Sequence, residues 1–260
     1  MKKQIIIILV GMLLAAGASG QSSLIKSKVK NLPNYDYAPY HFGFVLALNQ
    51  MHFSIDPIDY LHQQEFTPGQ AGDILPTPEE LRVLGIDYQP EYGFTVGIVG
   101  NLRLAQYFDL RFIPSLAFGE RVINYRIEKY NGGISEDTVM MEKRIPSTYI
   151  DFPLMVKYKS KRYNNMRAYV LGGVKYSLDL ASLSDKREEN TNNVLVKLER
   201  QDVSFEVGVG FDYYMSFFKF GMEIKMAYSP FDPLEREGNL YTGSIEELRS
   251  KYFQLSFTFE

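Results

Sequence analysis

Between Tyr92 and Phe118 nearly every strongly apolar side chain falls on an even number, and this alternation limits what the chain can become. Tyr92, Phe94, Val96, Ile98, Leu102 and Leu104 share one face. After a short Gln106–Phe108 turn, Leu110, Phe112, Leu116 and Phe118 continue it. The other face carries Gly93, Thr95, Gly97, Asn101, Arg103, Arg111, Ser115 and Ala117. A period of two belongs to strands, and two such runs around a few polar residues predict an antiparallel hairpin.

The first twenty residues stand apart from this pattern. Lys2 and Lys3 precede an apolar run over 5–18, and Ala18-Ser19-Gly20 offers a small-residue cleavage site. This predicts a signal peptide over 1–20 and export of a chain starting at Gln21. The run is too short and wrongly flanked for a spanning helix. Loss of the two lysines leaves 26 basic against 31 acidic residues, a net charge of −5. Such a chain has no basic field for nucleic acid, and that partner class is excluded. With no cysteine, it has neither disulfides nor a cysteine-borne lipid anchor. No later run of 18 apolar residues follows, so a membrane location would require strands.

The same alternation returns along the chain. A lead-in over 21–40 is basic at Lys26, Lys28 and Lys30 and turn-like at Asn31-Leu32-Pro33. A first strand runs over 41–49 with Phe42, Phe44, Leu46 and Leu48 on one face. A proline-rich segment over 56–91 follows, with a short helix expected at Pro78–Leu84. After the hairpin, a polar loop is expected around Asn131-Gly132-Gly133. Strands are then expected over 148–158, from about 170 to 180, from about 205 to 213, from about 218 to 228 and from about 253 to 259. This makes eight strands, with connections alternating long and short. Short turns at one end and long loops at the other are the layout of an outer-membrane barrel. The expected fold is all-β: an eight-stranded antiparallel transmembrane up-and-down barrel over 41–260, with short periplasmic turns and long extracellular loops.

Alternation alone would equally suit a soluble barrel with an apolar interior. The composition of the two faces decides between them. The apolar face has no charge in the strand centres. The other is rich in Gly, Ala and Ser, and its charges balance: Arg111, Lys157, Lys175, Lys219 and Lys225 against Asp151, Asp179, Glu206, Asp212 and Glu223. Water gives a surface no reason to prefer glycine, which weakens strands, whereas a narrow lumen needs small residues and mutually neutralising charges. The Phe-rich face therefore meets lipid, and Tyr92, Tyr158, Tyr213, Tyr228 and Tyr252 are expected at the membrane interfaces. The ten charged residues are expected to form a structural network filling the lumen.

No catalytic, cofactor-binding or metal-ligating set emerges. His41, His52 and His62 lack metal-site spacing. Gly97-Ile98-Val99-Gly100 and Gly208-Val209-Gly210 lie on strands and read as packing glycines, not phosphate loops. Asn31, Leu32 and Pro33 are candidate contacts for a periplasmic partner; the alternative is a solvated tail that helps close the barrel. Asp137-Thr138-Val139 resembles a short O-glycan acceptor motif.

Several segments carry a more specific likeness. NLPNYDYAPYHFGFVLALN (31–49), GIVGNLRLAQYFDLRFIPSLAFGER (97–121), YIDFPLMVKYKSKR (149–162), RAYVLGGVKYSLDLAS (167–182) and VGVGFDYYMSFFKFGMEIK (207–225) resemble, in order, the PorT/SprT family of Bacteroidota. One departure is Val45-Leu46-Ala47, where the family leads us to expect a glycine-containing run. The resemblance implies a monomeric, non-enzymatic integral outer-membrane protein without cofactor. Its implied surroundings are outer-membrane lipid and other components of the type IX secretion system, which also supports gliding. The alternative is a generic surface barrel that binds ligands or partners through its loops.

Overall fold

The computed structural model describes residues 30–67, 70–71, 80–180 and 196–260. The expected signal peptide and the first part of the lead-in lie outside them. The strands are β1 (Tyr40–Pro57), β2 (Glu80–Arg103), β3 (Phe108–Phe112), β4 (Ser115–Asn131), β5 (Ile134–Lys159), β6 (Met166–Asp179), β7 (Gln201–Tyr214), β8 (Lys219–Tyr228) and β9 (Ile245–Phe259). Every pairing is antiparallel, and β9 returns to β1 from Phe44↔Phe259 upward, closing the ring. β3 and β4 form one stave interrupted at Ile113-Pro114, since both pair with β2 and with β5. Pro114 lacks an N–H for the ladder, but its carbonyl still accepts from Ile98 N at 3.0 Å. The wall therefore has eight staves and no free edge around its girth.

The two faces are inverted relative to a soluble protein. Phe42 is 70% exposed, Ile98 63% and Ile224 61%, whereas Arg111, Lys157 and Glu223 are fully buried. A continuous belt of this kind is stable only against lipid. Tyr92 and Tyr158 project outward as interface residues do, but Tyr252 does not. Phe253 and Phe257 fix the odd positions of β9 as outward, so Tyr252 points into the lumen.

At the end expected to face the periplasm the turns are short: 104–107, 160–165 and 215–218. At the other end, 58–79, 180–200 and 229–244 are long connections, but the fourth differs from expectation. β4 and β5 rise together as a ribbon closed by Gly132-Gly133, both at positive φ (57° and 76°). The segment around this turn reads as a polar loop because the ribbon's outer side carries charges that pair across it, such as Arg144 with Glu120 at 3.0 Å. The helix expected at Pro78–Leu84 is also absent from its described part. Residues 80–84 are extended and 80–83 pair with β4, so ladder pairing overrides the local helix signal.

Above the membrane belt these extensions build a second apolar core. Phe53, Leu81, Val83, Ile123, Tyr125 and Ile127 from the strands pack with Leu198, Leu234, Leu240 and Tyr241 from the loops. A single-turn helix, Leu240–Gly243, is capped by Asn239, whose side chain accepts from Thr242 N at 2.8 Å.

Candidate functional site

The lumen is a packed column of side chains. Near the periplasmic end, Lys159 lies 2.6 Å from Asp109, and Lys219 lies 2.9 Å from Glu260. Arg111 bridges two carboxylates, Glu260 at 3.0 Å and Glu223. Lys157 bonds both oxygens of Asp212, at 2.9 and 3.1 Å. Tyr169 ties these groups together. Its hydroxyl donates to Glu223 at 2.8 Å, and the Lys157 ammonium sits 3.5 Å from its ring centroid. The ring has room because position 210 is glycine: a Cβ there would lie 2.7 Å from the ring's Cζ.

The next layer is apolar, with Val45, Val99, Ile113, Met155 and Leu171 packed together. Its large side chains were not expected from the small-residue character of the lumen face; Val45 is the family departure noted above. Above it, Lys225 pairs with Glu206 at 3.1 Å, and Asp151 takes Lys175 at 3.6 Å and Ser177 Oγ at 2.6 Å. Tyr252 joins this layer, with Thr95 at 2.8 Å and Lys175 over its ring at 3.8 Å. A cavity of about 20 Å³ beside Arg121, Asp151 and Tyr252 has the volume of roughly one water. Burial of the charges in these pairs is tolerable only because each of them is met by an opposite partner.

Both ends of the column are covered. Outside, Tyr125 donates to the Tyr241 carbonyl at 3.1 Å with the rings edge to face, and burial pushes the Tyr125 hydroxyl pKa up. At the periplasmic end, residues 30–39 form a strap across the mouth, with a 3-10 turn at Tyr35–Tyr37. Asn31 donates to Tyr214 O at 3.0 Å and to Asn165 at 2.9 Å, while Arg162 donates to the carbonyls of Asn31 and Leu32. Asp36 takes two bonds from Arg167, at 2.9 and 3.0 Å, and one from the Tyr214 hydroxyl at 2.7 Å. Burial alone would raise its pKa, but Tyr214, Arg167 and Arg162 together hold it below the usual carboxylate value.

All ten charged residues read from the sequence are buried on the lumen side. Nine join the pairs just described; Asp179 is placed by its backbone N–H, which donates to Arg200 O at 2.8 Å. Of the three lead-in residues, Asn31 and Leu32 are held against the barrel and Pro33 is exposed. Asp109, Lys159 and Glu260 were missed, although each lies on the lumen side of an extended alternation. The histidines stay apart: His41 bonds Tyr35 O, His52 bonds Tyr88 and Gln50, and His62 lies in the first outer loop. Among the described residues no group of three His, Asp or Glu side chains could hold a metal.

The sequence matches the family model described as outer membrane protein beta-barrel domain over residues 37–234. No curated protein sequence matches it significantly. Among solved structures, it is similar to the outer membrane protein OprG from Pseudomonas aeruginosa. That likeness has 12% identity, covers 84% of this chain and 95% of that one, and has a TM-score of 0.35. It is also similar to the N-terminal β-barrel domain of Pseudomonas aeruginosa OprF. Here the identity is 11%, the coverage 84% and 96%, and the TM-score 0.27. The family match runs from the strap's 3-10 turn to the last outer loop, and so the chain belongs to the outer membrane protein beta-barrel domain family and resides in the outer membrane.

Proposed function

We propose that this barrel is a monomeric, non-enzymatic accessory or assembly component of the type IX secretion system. The observation that carries the reading is a lumen filled with paired side chains and covered at both ends. In such a barrel the wall anchors, and the strap and outer cap are the surfaces left to work. The ordered resemblance of five segments to the PorT/SprT family, four of them wholly within the described residues, supports the choice of system. Deletion of the gene, followed by comparison of proteins released to the medium, tests it. The expected result is loss of proteins bearing the system's C-terminal signal domain, and unchanged release would overturn the reading.

A second reading, a surface barrel that binds through its loops, draws on the β4–β5 ribbon, where Ile134 is 71% and Met140 62% exposed. Trimming the ribbon to a short turn separates the two: loss of surface adhesion with intact secretion would favour the second.

A further inference from the structure

The periplasmic mouth is not filled by its strap. Between the strap and the turns 104–107 and 160–165 lies an open pocket of about 470 Å³. Its charges are unbalanced. Lys30, Arg103, Lys161, Arg162 and Arg167 line it, against the single acid Asp36. Asp36 is already engaged by Arg167 and, at 3.7 Å, by Arg162. Lys30, Arg103 and Lys161 have no acidic partner among the described residues, in contrast to the lumen just above, where Lys159 and Lys219 each have one. Arg103 rests 6.0 Å from the ring centroid of Tyr37, which is itself 75% exposed.

We propose that this pocket binds an acidic peptide segment of a periplasmic partner, its carboxylates meeting Lys30, Arg103 and Lys161 between the strap and the two turns. Guanidinium forks and ammonium groups suit carboxylates, and the excess of cations steers an acidic segment in preference to others. Tyr37, Tyr107 and Pro33 supply apolar walls for the stems of Asp and Glu, a feature a bare inorganic anion would not use. Lipid headgroups surround the wall of the barrel, whereas this pocket is walled by the strap and two of the turns. Two further lysines, Lys26 and Lys28, precede Lys30 in the sequence. The site deepens the function proposed above and rests on that reading only for the identity of the partner.

The test uses the full mature barrel in phosphatidylcholine vesicles, with a fluorescein-labelled peptide of alternating Asp and Glu and anisotropy as the readout. Binding is expected at low salt and should weaken as salt rises. The double variant Arg103→Glu with Lys161→Glu should lose roughly tenfold or more in affinity. An outer-end control, Arg126→Glu with Lys251→Glu, changes net charge equally and should leave affinity unaltered. Equal losses in both variants would overturn the site, as would equal competition by inorganic phosphate or a preference for phosphatidylglycerol vesicles over the peptide. Folding is followed by heat-modifiable gel mobility; if the double variant does not insert, Arg103→Gln and Lys161→Gln are compared in the same way. No peptide binding with secretion lost on gene deletion would sink the site alone. Peptide binding with secretion intact would sink the functional reading alone.

Discussion

Lys157 holds both carboxylate oxygens of Asp212, and among the described residues Asp212 is its only acid within ion-pair distance. The converse does not hold, because Asp212 also has Lys219 at 4.0 Å. The two single variants should therefore differ. Asp212→Asn strands a buried ammonium and should destabilise the barrel by about 3 kcal/mol or more. Lys157→Met leaves Asp212 a second cation and should cost less. The double variant Lys157→Met with Asp212→Leu should recover most of the loss, since an apolar pair has no charge to desolvate. Urea titration of the vesicle-inserted protein measures all three, and equal single losses would contradict the asymmetry.

Gly210 makes room for Tyr169. A Cβ there would lie 2.6 Å from the Met222 carbonyl and 2.7 Å from the tyrosine ring. Gly210→Ala should destabilise by about 1–3 kcal/mol through overpacking. Added Tyr169→Leu should relieve only part of it, because the carbonyl remains. A double-mutant cycle on unfolding free energies reads the coupling, and strictly additive losses would show that ring and glycine do not compete.

Val207 faces outward on β7, opposite Met226 and Gly172, and is 54% exposed. Against lipid, Val207→Arg near mid-depth should cost about 2–4 kcal/mol. On the exposed ribbon, Ser135→Arg should stay within about 0.5 kcal/mol. Folding yields into short-chain phosphatidylcholine vesicles give both numbers, and a harmless Val207→Arg would argue against lipid on that face.

These residues also mark what sequence alone can reveal. The wall is legible because Cβ direction alternates with fixed period, and the faces are legible because paired charges occupy the side crowded with glycine. Both signals fail above the membrane. β2 shifts register between Val83 and Gly85 and again between Pro90 and Phe94, so its apolar parity does not carry through. On β4, Arg121, Val122 and Ile123 are buried in succession, where the ribbon leaves the wall for the cap. Leu198, Leu234 and Tyr241 join that cap from connections with no periodicity, and their burial depends on strands far away in sequence. The strap is legible as a polar lead-in that either contacts a partner or helps close the barrel, but its contacts are not, because they depend on Arg162, Arg167 and Tyr214, all more than 120 residues later. Glu260 needed only one more step of the β9 alternation.

The strap should respond to acid through Asp36. Its folded pKa lies below the unfolded carboxylate value, held there against burial by Tyr214, Arg167 and Arg162. A depressed folded pKa contributes stability that is present above the unfolded pKa and lost as pH falls through the folded one. Docking should therefore be unchanged from neutral pH down to about pH 5, and should weaken only below the ordinary carboxylate range near pH 4. Because the chain has no cysteine, Asn34→Cys offers a single site for a nitroxide label on an exposed strap residue. The label should be immobilised at pH 7 and become mobile in strong acid. Asp36→Asn should make it mobile already at pH 7, since the amide keeps a hydrogen bond but loses its charge for both arginines. A label equally immobile in Asp36→Asn would mean that Asn31 and Arg162 hold the strap without the carboxylate.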